Sequence, residues 1–291
     1  MATPAQWIQG ARPRTLPAAL APVLIGTGAA AAIGAADLSR ALLALLVAVA
    51  LQVGVNYAND YSDGIRGTDD EGMRVGPVRL VGQRLAPPRQ VKFAAFACFG
   101  VAAVAGLALV AVSGAWVMLL LGTASIVAAW FYTGGSRPYG YLGLGEVFVF
   151  VFFGLVATLG TTYTQALTLT SAAWAGAVGV GLLSCAILMA NNLRDIPGDT
   201  LVGKRTLAVR LGDAGARRAY LGMLAGAAGC VLIAAITRPA ALLALAAFVV
   251  AVPAVRAIRS GAQGPALIPA LAGTGMLTLV YALLLTLGLA L

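Results

Sequence analysis

Two stretches of the sequence place amide and carboxylate oxygens at helical spacing. Asn59 and Asp63 stand four residues apart in NYANDYSDGIRGTDDE (56–71), and Asn191 and Asp195 repeat the interval in MANNLRDIPGDTLVGKRT (189–206). Both stretches contain Ala-Asn-x-x-x-Asp, and the aligned pairs lie 132 residues apart, as a duplicated four-helix unit would leave them. At i and i+4 the Asn and Asp of each pair project from one helix face, whereas Asp60 points elsewhere. Gly64, Gly67 and the Pro197-Gly198 pair are expected to end the two helices, which puts Asp69, Asp70 and Asp199 on turns folding back toward the pairs. Hard oxygens without His or Cys suit Mg²⁺, which shares one or two carboxylates with substrate phosphates. Two facing clusters would clamp a diphosphate. Arg66, Arg74 and Arg79 beside the first, and Lys204 and Arg205 beside the second, would neutralise the remaining charge.

The competing reading makes these residues ordinary loop charges. It is preferred for Arg84, Arg89, Lys92, Arg210, Arg217 and Arg218, and it weighs at least equally for Asp70, Glu71 and Asp213. It is weaker for Asp63 and Asp195, because an Asp drawn toward mid-membrane costs about 2.5–3.5 kcal/mol. The chain has no His, so the commonest general base and zinc ligand is absent. Its three Cys sit in apolar runs and read as packing residues.

The elements that must position these groups follow from composition. Of 291 residues 60% are hydrophobic and only 10% charged, and the mean hydropathy is +0.93, which excludes an ordinary soluble domain. Apolar windows run over 15–35, 41–58, 93–112, 115–132, 142–163, 172–190, 219–236, 239–255 and 266–290. The expectation is an all-α polytopic membrane protein of nine transmembrane helices, forming a single domain over 1–291 with two cytoplasmic Asp-rich loops. The net charge of +9 is not a nucleic-acid signal, because with the N-terminus inside 17 of the 19 basic residues fall on one side. Only Arg40 and Arg238 lie opposite. The C-terminus is then expected outside, and the polar stretches 59–92 and 191–218 are where function is expected.

These motifs resemble the UbiA superfamily of intramembrane prenyltransferases, which carries Asp-rich motifs after the second and sixth of nine helices. The resemblance covers nearly the whole chain. ARPRTLPAAL near the start, RVGPVRLVG (74–82), FYTGGSRPYGYLGLGE (131–146) and NNLRDIPGDTLVGKRTLAVRLG (191–212) look most similar to the MenA branch, which prenylates 1,4-dihydroxy-2-naphthoate. Two departures stand out. Gly67 occupies the place of a third motif Asp, so the next carboxylate is Asp69, and Asn191 replaces the Asp that often opens the second motif.

The resemblance implies a multi-pass enzyme of the bacterial plasma membrane with its site on the cytoplasmic side. It implies transfer of a polyprenyl group from polyprenyl diphosphate to 1,4-dihydroxy-2-naphthoate, with loss of diphosphate and CO₂, in menaquinone synthesis. Two Mg²⁺ ions would be held by Asn59, Asp63, Asp69, Asn191, Asp195 and Asp199, with Asp60 supporting and Asp69 binding directly or through water. Arg66, Arg74, Arg79 and Lys204 become the diphosphate ligands. An allylic cation needs shielding, and Trp130, Phe131, Tyr132, Tyr139, Phe148 and Phe152 lie near one inside boundary, where an interfacial belt is the alternative. Tyr132, Tyr139 and Glu146 are the preferred acceptor-side residues, with Arg12 or Arg137 meeting the acceptor carboxylate. Two other readings stay open here: the same chemistry on 4-hydroxybenzoate or homogentisate, and a membrane transporter. The transporter is disfavoured because its ionisable residues belong near span centres.

Overall fold

The computed structural model of the protein describes residues 2–67 and 78–291. Asp69, Asp70, Glu71 and Arg74 lie outside the described residues. The described chain is helical, in the order α1 (Pro4–Gly10), α2 (Pro17–Ala31), α3 (Leu38–Ile65), α4 (Pro88–Ser113), α5 (Val117–Phe131), α6 (Gly145–Ala166), α7 (Ser171–Leu201), α8 (Leu207–Ala235), α9 (Pro239–Arg259) and α10 (Gly264–Ala290). Seven of these, α3, α4 and α6 to α10, are long and apolar enough to cross a membrane.

The two remaining apolar helices are shorter than the sequence windows over 15–35 and 115–132. Helices α2 and α5 have 15 residues each. At 1.5 Å per residue each spans about 22 Å, less than a hydrocarbon core of about 30 Å. Local backbone explains the trimming. Arg12 takes a left-handed conformation (φ 55°) before a separate turn over Pro13–Thr15, and Gly34 and Gly114 (φ 70° and 71°) close α2 and α4.

Helices α3 and α7 correct the sequence reading in the other direction. Both run past the apolar windows, so Asn59, Asp60, Asp63, Asn191, Asp195 and Asp199 are all helical residues. Gly64 lies inside α3, and the break comes at Gly67 (φ 71°). Pro197 lies inside α7 and does not end it. Proline's φ is already helical and it forfeits a single donor, which a helix end at a polar boundary tolerates. Asn191, Asp195 and Asp199 therefore form one ladder at i, i+4 and i+8, and Asp199 is not on a returning turn. Helix α8 likewise begins at Leu207, well before the window at 219, with a kink at Gly212.

Helix α7 is the most buried of the long spans, packed on α8, α6, α2 and α10, while α3 pairs with α4. Lipid-facing positions such as Leu42, Leu46, Phe93 and Val104 are exposed. Residues 150–156 of α6 are wound as a π-helix. There α6 meets α7 through glycine on both sides: a Cβ on Gly154 would stand 2.7 Å from the Gly181 Cα. Such contacts let backbones approach where no hydrophobic force drives helices together. Gly154→Val is expected to lower stability by about 1–3 kcal/mol through overpacking, read as a lower melting temperature in detergent. Gly100→Ala, where an added Cβ meets nothing within 4 Å, should leave it unchanged.

The two basic residues on the far side satisfy helix ends. Arg40 donates to the carbonyls of Thr164, Gln165 and Val112, and Arg238 to that of Ala32. These are C-terminal carbonyls without an intrahelical partner. Asp37 caps α3, and the Ser39 hydroxyl and Arg40 amide hold its carboxyl below the ordinary range. Cys98, Cys185 and Cys230 are free thiols.

Candidate active site

The end of α3 is polar on several faces, and each face has its own partner. Asn56 donates to the Ala11 carbonyl and the Thr15 hydroxyl, and Tyr57 donates to the Trp7 carbonyl, tying the N-terminal segment that carries Arg12 to α3. Asp60 is buried and accepts the amides of Leu80 (2.7 Å) and Val81 (2.9 Å). Its carboxylate thus clamps the segment bearing the buried Arg79 onto α3. Asn59 accepts from the Thr133 hydroxyl at 2.8 Å. Oδ1 of Asp63 accepts from the Tyr141 hydroxyl at 2.5 Å and lies 3.4 Å from Nζ of Lys204.

At the end of α7 the second motif is braced by a residue the sequence reading passed over. Arg194 is buried and grips Asp195 with two parallel bonds, Nε to Oδ1 at 2.7 Å and Nη2 to Oδ2 at 2.8 Å. Its Nη2 also donates to Asn191 Oδ1 at 2.9 Å. Asn192, one residue along, faces α6 and donates to Oε1 of buried Glu146 at 3.1 Å. Oε2 of Glu146 is buried without a hydrogen-bond partner among the described residues.

Lys204 joins the two motifs. After α7 the chain turns through Gly203 (φ 73°), and the Lys204 amide donates to the Asp199 carbonyl at 2.8 Å. The buried side chain then crosses to Asp63, its ammonium 4.4 Å from the centre of the Tyr141 ring. The loop over 132–144 closes this side. The Arg205 amide donates to the Tyr141 carbonyl and the Arg210 guanidinium to the Leu142 carbonyl, while Arg205 itself is exposed. Arg66 is exposed at the end of α3, donates to the Thr133 and Gly135 carbonyls and stands 5.6 Å from the Tyr141 ring.

The aromatic residues divide into two groups. Tyr132 meets Tyr139 edge-on at 5.4 Å, Tyr139 stacks on Phe148 at 3.8 Å, and Phe148 stacks on Phe152 at 6.0 Å. Burial first, then the nearby Glu146 carboxylate, with Asp63 and Asp199 contributing, pushes the Tyr132 phenol above its ordinary range, so it stays a donor. Burial raises the Tyr139 phenol too, and its hydroxyl donates to the Ala128 carbonyl. Trp130 departs from this row. It packs with Tyr61 and Phe96, with the Lys92 ammonium over it, and Phe131 is exposed. Arg137 is exposed and makes no hydrogen bond or ion pair among the described residues. Asp213 pairs with Arg217 at 2.7 Å on α8, a structural charge.

No group of three or more His, Cys, Asp or Glu among the described residues is clustered tightly enough to hold a metal alone. The donors at the two helix ends that Lys204 links, Asn59 and Asp63 on α3 and Asn191, Asp195 and Asp199 on α7, are all amide and carboxylate oxygens. That set fits a hard cation, and an ionised carboxylate has about four lone-pair sites, enough to serve a protein donor and an ion together.

Residues 19–265 match the model of the UbiA prenyltransferase family. The chain is 56% identical over 283 residues to the 1,4-dihydroxy-2-naphthoate octaprenyltransferase of Mycobacterium tuberculosis, covering 97% of this chain and 96% of that protein. It is 43% identical over 232 residues to the Escherichia coli protein of the same name, covering 78% and 75%. Among solved structures, the fold is similar to a UbiA homolog from Archaeoglobus fulgidus bound to GPP and Mg²⁺, with a TM-score of 0.70 at 12% identity over 98% of this chain and 100% of that one. A UbiA homolog from Aeropyrum pernix K1 matches at a TM-score of 0.69 and 17% identity over 89% and 94%.

Proposed function

The chain belongs to the UbiA prenyltransferase family, and we propose that it transfers a polyprenyl group from polyprenyl diphosphate to 1,4-dihydroxy-2-naphthoate in menaquinone biosynthesis. The observation that carries the reading is the Lys204 bridge, which holds the two Asn/Asp motifs around one polar site beside the row of Tyr132, Tyr139, Phe148 and Phe152. Near-full-length similarity to 1,4-dihydroxy-2-naphthoate octaprenyltransferases supports the choice of acceptor.

Asn59, Asp63, Asn191, Asp195 and Asp199, joined by Asp69, would hold Mg²⁺, one ion for each motif, and bound there it offsets charge gathering on the departing diphosphate. Lys204 and Arg79 add fixed positive charge on the same side, where the bond between prenyl carbon and diphosphate oxygen breaks. In this structure Arg66 is committed to the Thr133 and Gly135 carbonyls, so its first effect is to hold the loop over the site. The aromatic row offers ring faces to the allylic cation and excludes water. Oε2 of Glu146, buried without a partner among the described residues, would accept from a ring hydroxyl, with the Tyr132 phenol as a neighbouring donor. The ring carbon bearing the carboxylate forms the new bond to the prenyl carbon, and the 1-hydroxyl proton leaves. The resulting β-keto acid releases CO₂, the electron pair of the broken carbon–carbon bond restores the ring, and a proton returns to the 1-oxygen, giving a hydroquinone. That hydroquinone is the reduced form of demethylmenaquinone, and the step needs no oxidant. By the distribution of Arg and Lys, the site faces the cytoplasm.

The deciding experiment supplies folded, detergent-purified protein with Mg²⁺, a polyprenyl diphosphate and a mixture of 1,4-dihydroxy-2-naphthoate, 4-hydroxybenzoate and homogentisate, and reads product masses. The expected product derives from the naphthoate alone, heavier by the prenyl group and lighter by CO₂. Prenylation of another acceptor would overturn the assignment of substrate. Lys204→Ala is expected to lower kcat/KM for the diphosphate by about 10²–10³-fold, the usual cost of one preorganised electrostatic partner. An unchanged value would make Lys204 a structural bridge only.

A further inference from the structure

A cavity lies away from the motifs. Helices α8 and α9 leave a groove of about 910 Å³, at the upper end of the range for small-molecule sites. Leu224, Phe248 and Val255 line its walls, and Arg256, Arg259 and Ser260 stand at one end. None of these residues belongs to the helices that carry the Asn/Asp motifs.

The charged end is built rather than accidental. Arg217 of α8 donates to the Ile258 and Ala262 carbonyls, both at 2.7 Å, and so fixes the end of α9 against α8. The same guanidinium occupies both oxygens of Asp213, so that carboxylate is already committed. Arg256 and Arg259, in the last turn of α9, are exposed, and their side chains make no hydrogen bond or ion pair among the described residues. They lie on the membrane face where α8 starts just after Lys204, the face on which 17 of the 19 basic residues are expected. An apolar groove along the spans, ending in two uncommitted guanidiniums at the headgroup level, matches an amphiphile with a negative charge at one end. A peptide would bring backbone amides into a wall without polar partners. Basic pockets between transmembrane helices on the cytoplasmic side hold anionic headgroups in this way, and guanidinium forks fit phosphate oxygens.

We infer that this groove is a binding site for one anionic phospholipid, with its phosphate at Arg256 and Arg259 and an acyl chain along Leu224, Phe248 and Val255. The lipid is a resident of the fold and not a substrate.

Native mass spectrometry of the full chain, titrated with dioleoyl-phosphatidylglycerol or dioleoyl-phosphatidylcholine, tests it. One phosphatidylglycerol should be retained per chain with at least about tenfold preference over phosphatidylcholine. The double variant Arg256→Ala/Arg259→Ala should bind phosphatidylglycerol about 30-fold more weakly, the equivalent of about 2 kcal/mol for two interfacial charges, with prenyl transfer retained. Arg84→Ala/Arg89→Ala, which removes two charges elsewhere on that face, should bind as the unmodified protein does. If the alanine pair fails to fold, judged by melting in phosphatidylcholine, Arg256→Gln/Arg259→Gln takes its place. Equal retention of both lipids, or undiminished binding by the double variant, would overturn the inference. One-for-one displacement by a polyprenyl diphosphate would overturn it too, making the groove a substrate route.

Discussion

Asp63→Ala and Asp195→Ala are each expected to lower turnover by at least about 10³-fold in protein that still folds, with Asp195→Ala the less stable because it leaves buried Arg194 uncompensated. On the proposed function either change removes a carboxylate whose charge would balance a cation on one side and organise a diphosphate on the other. Loss of a single preorganised electrostatic partner ordinarily costs 10²–10³-fold, and a metal ligand carries that effect together with the position of the ion. Asp63 carries more besides, because its Oδ1 gathers the Tyr141 hydroxyl and the Lys204 ammonium. Asp63→Asn separates the two contributions: it keeps an acceptor for Tyr141 but removes the charge, so it should stay near the alanine value. Steady-state rates with saturating naphthoate read the result, and near-normal turnover in either alanine variant would remove that residue from the metal set. Rigorous chelation of divalent ions should stop the unmodified enzyme as well. Activity that survives it would sink the account in which the motifs work through a metal.

Arg194→Ala is the second large effect, and it should appear first in stability. The Arg194 and Asp195 side chains are each about 5% exposed, and their bonds are short and parallel. Removing one partner of such a pair leaves an uncompensated buried charge, at a cost of about 3–5 kcal/mol. The melting temperature of the variant should therefore fall, and fall further in chelator than in millimolar Mg²⁺, because a bound cation replaces part of the lost compensation. A purely packing role predicts the same loss in both conditions. Arg194→Lys keeps the charge without the planar fork, and should recover stability better than activity. A variant as stable and active as the unmodified protein would show that Arg194 does not position Asp195.

The long spans could be read from the sequence because hydropathy reports what faces lipid. It could not report where α3 and α7 stop. An apolar window ends at the first run of polar residues, whereas the backbone ladder continues as long as its bonds can form, and in α7 it continues through Pro197. That one misjudged proline moved Asp199 from a turn to the face it shares with Asn191 and Asp195. The metal and diphosphate candidates were visible because their residue types and spacing are unusual for a membrane protein. Their supports were not. Arg194, Tyr141 and Thr133 look like any boundary residues until the fold brings them against Asp195, Asp63 and Asn59, and nothing local distinguishes Tyr141 from Tyr139. One signal was available: an Arg directly beside a motif Asp, inside a helix entering the membrane, needs a partner to be there at all. The six aromatic residues near one boundary could not be sorted by position alone: Tyr132 and Tyr139 join one row, whereas Trp130 lies on α5 facing α3 and α4 and belongs to a different cluster.

The π turns of α6 set an angle as well as a shape. A segment that closes its bonds five residues apart is an α-helix that has absorbed an extra residue. The Gly154 contact with α7 and the Glu146 contact with Asn192 lie on opposite sides of most of that segment, so the extra residue fixes the rotational phase between them. Ordinary α-helical winding of the same residues would turn everything before the segment by about 100° relative to Gly154, whereas excising one residue from 150–153 would remove the absorbed residue and restore the phase. The span would still cross and still seat on α7. With the π turns straightened and no residue removed, Glu146 and Phe148 would face another way, so a one-codon insertion into 150–153, rather than a deletion, would uncouple the proposed acceptor side of the site from its scaffold.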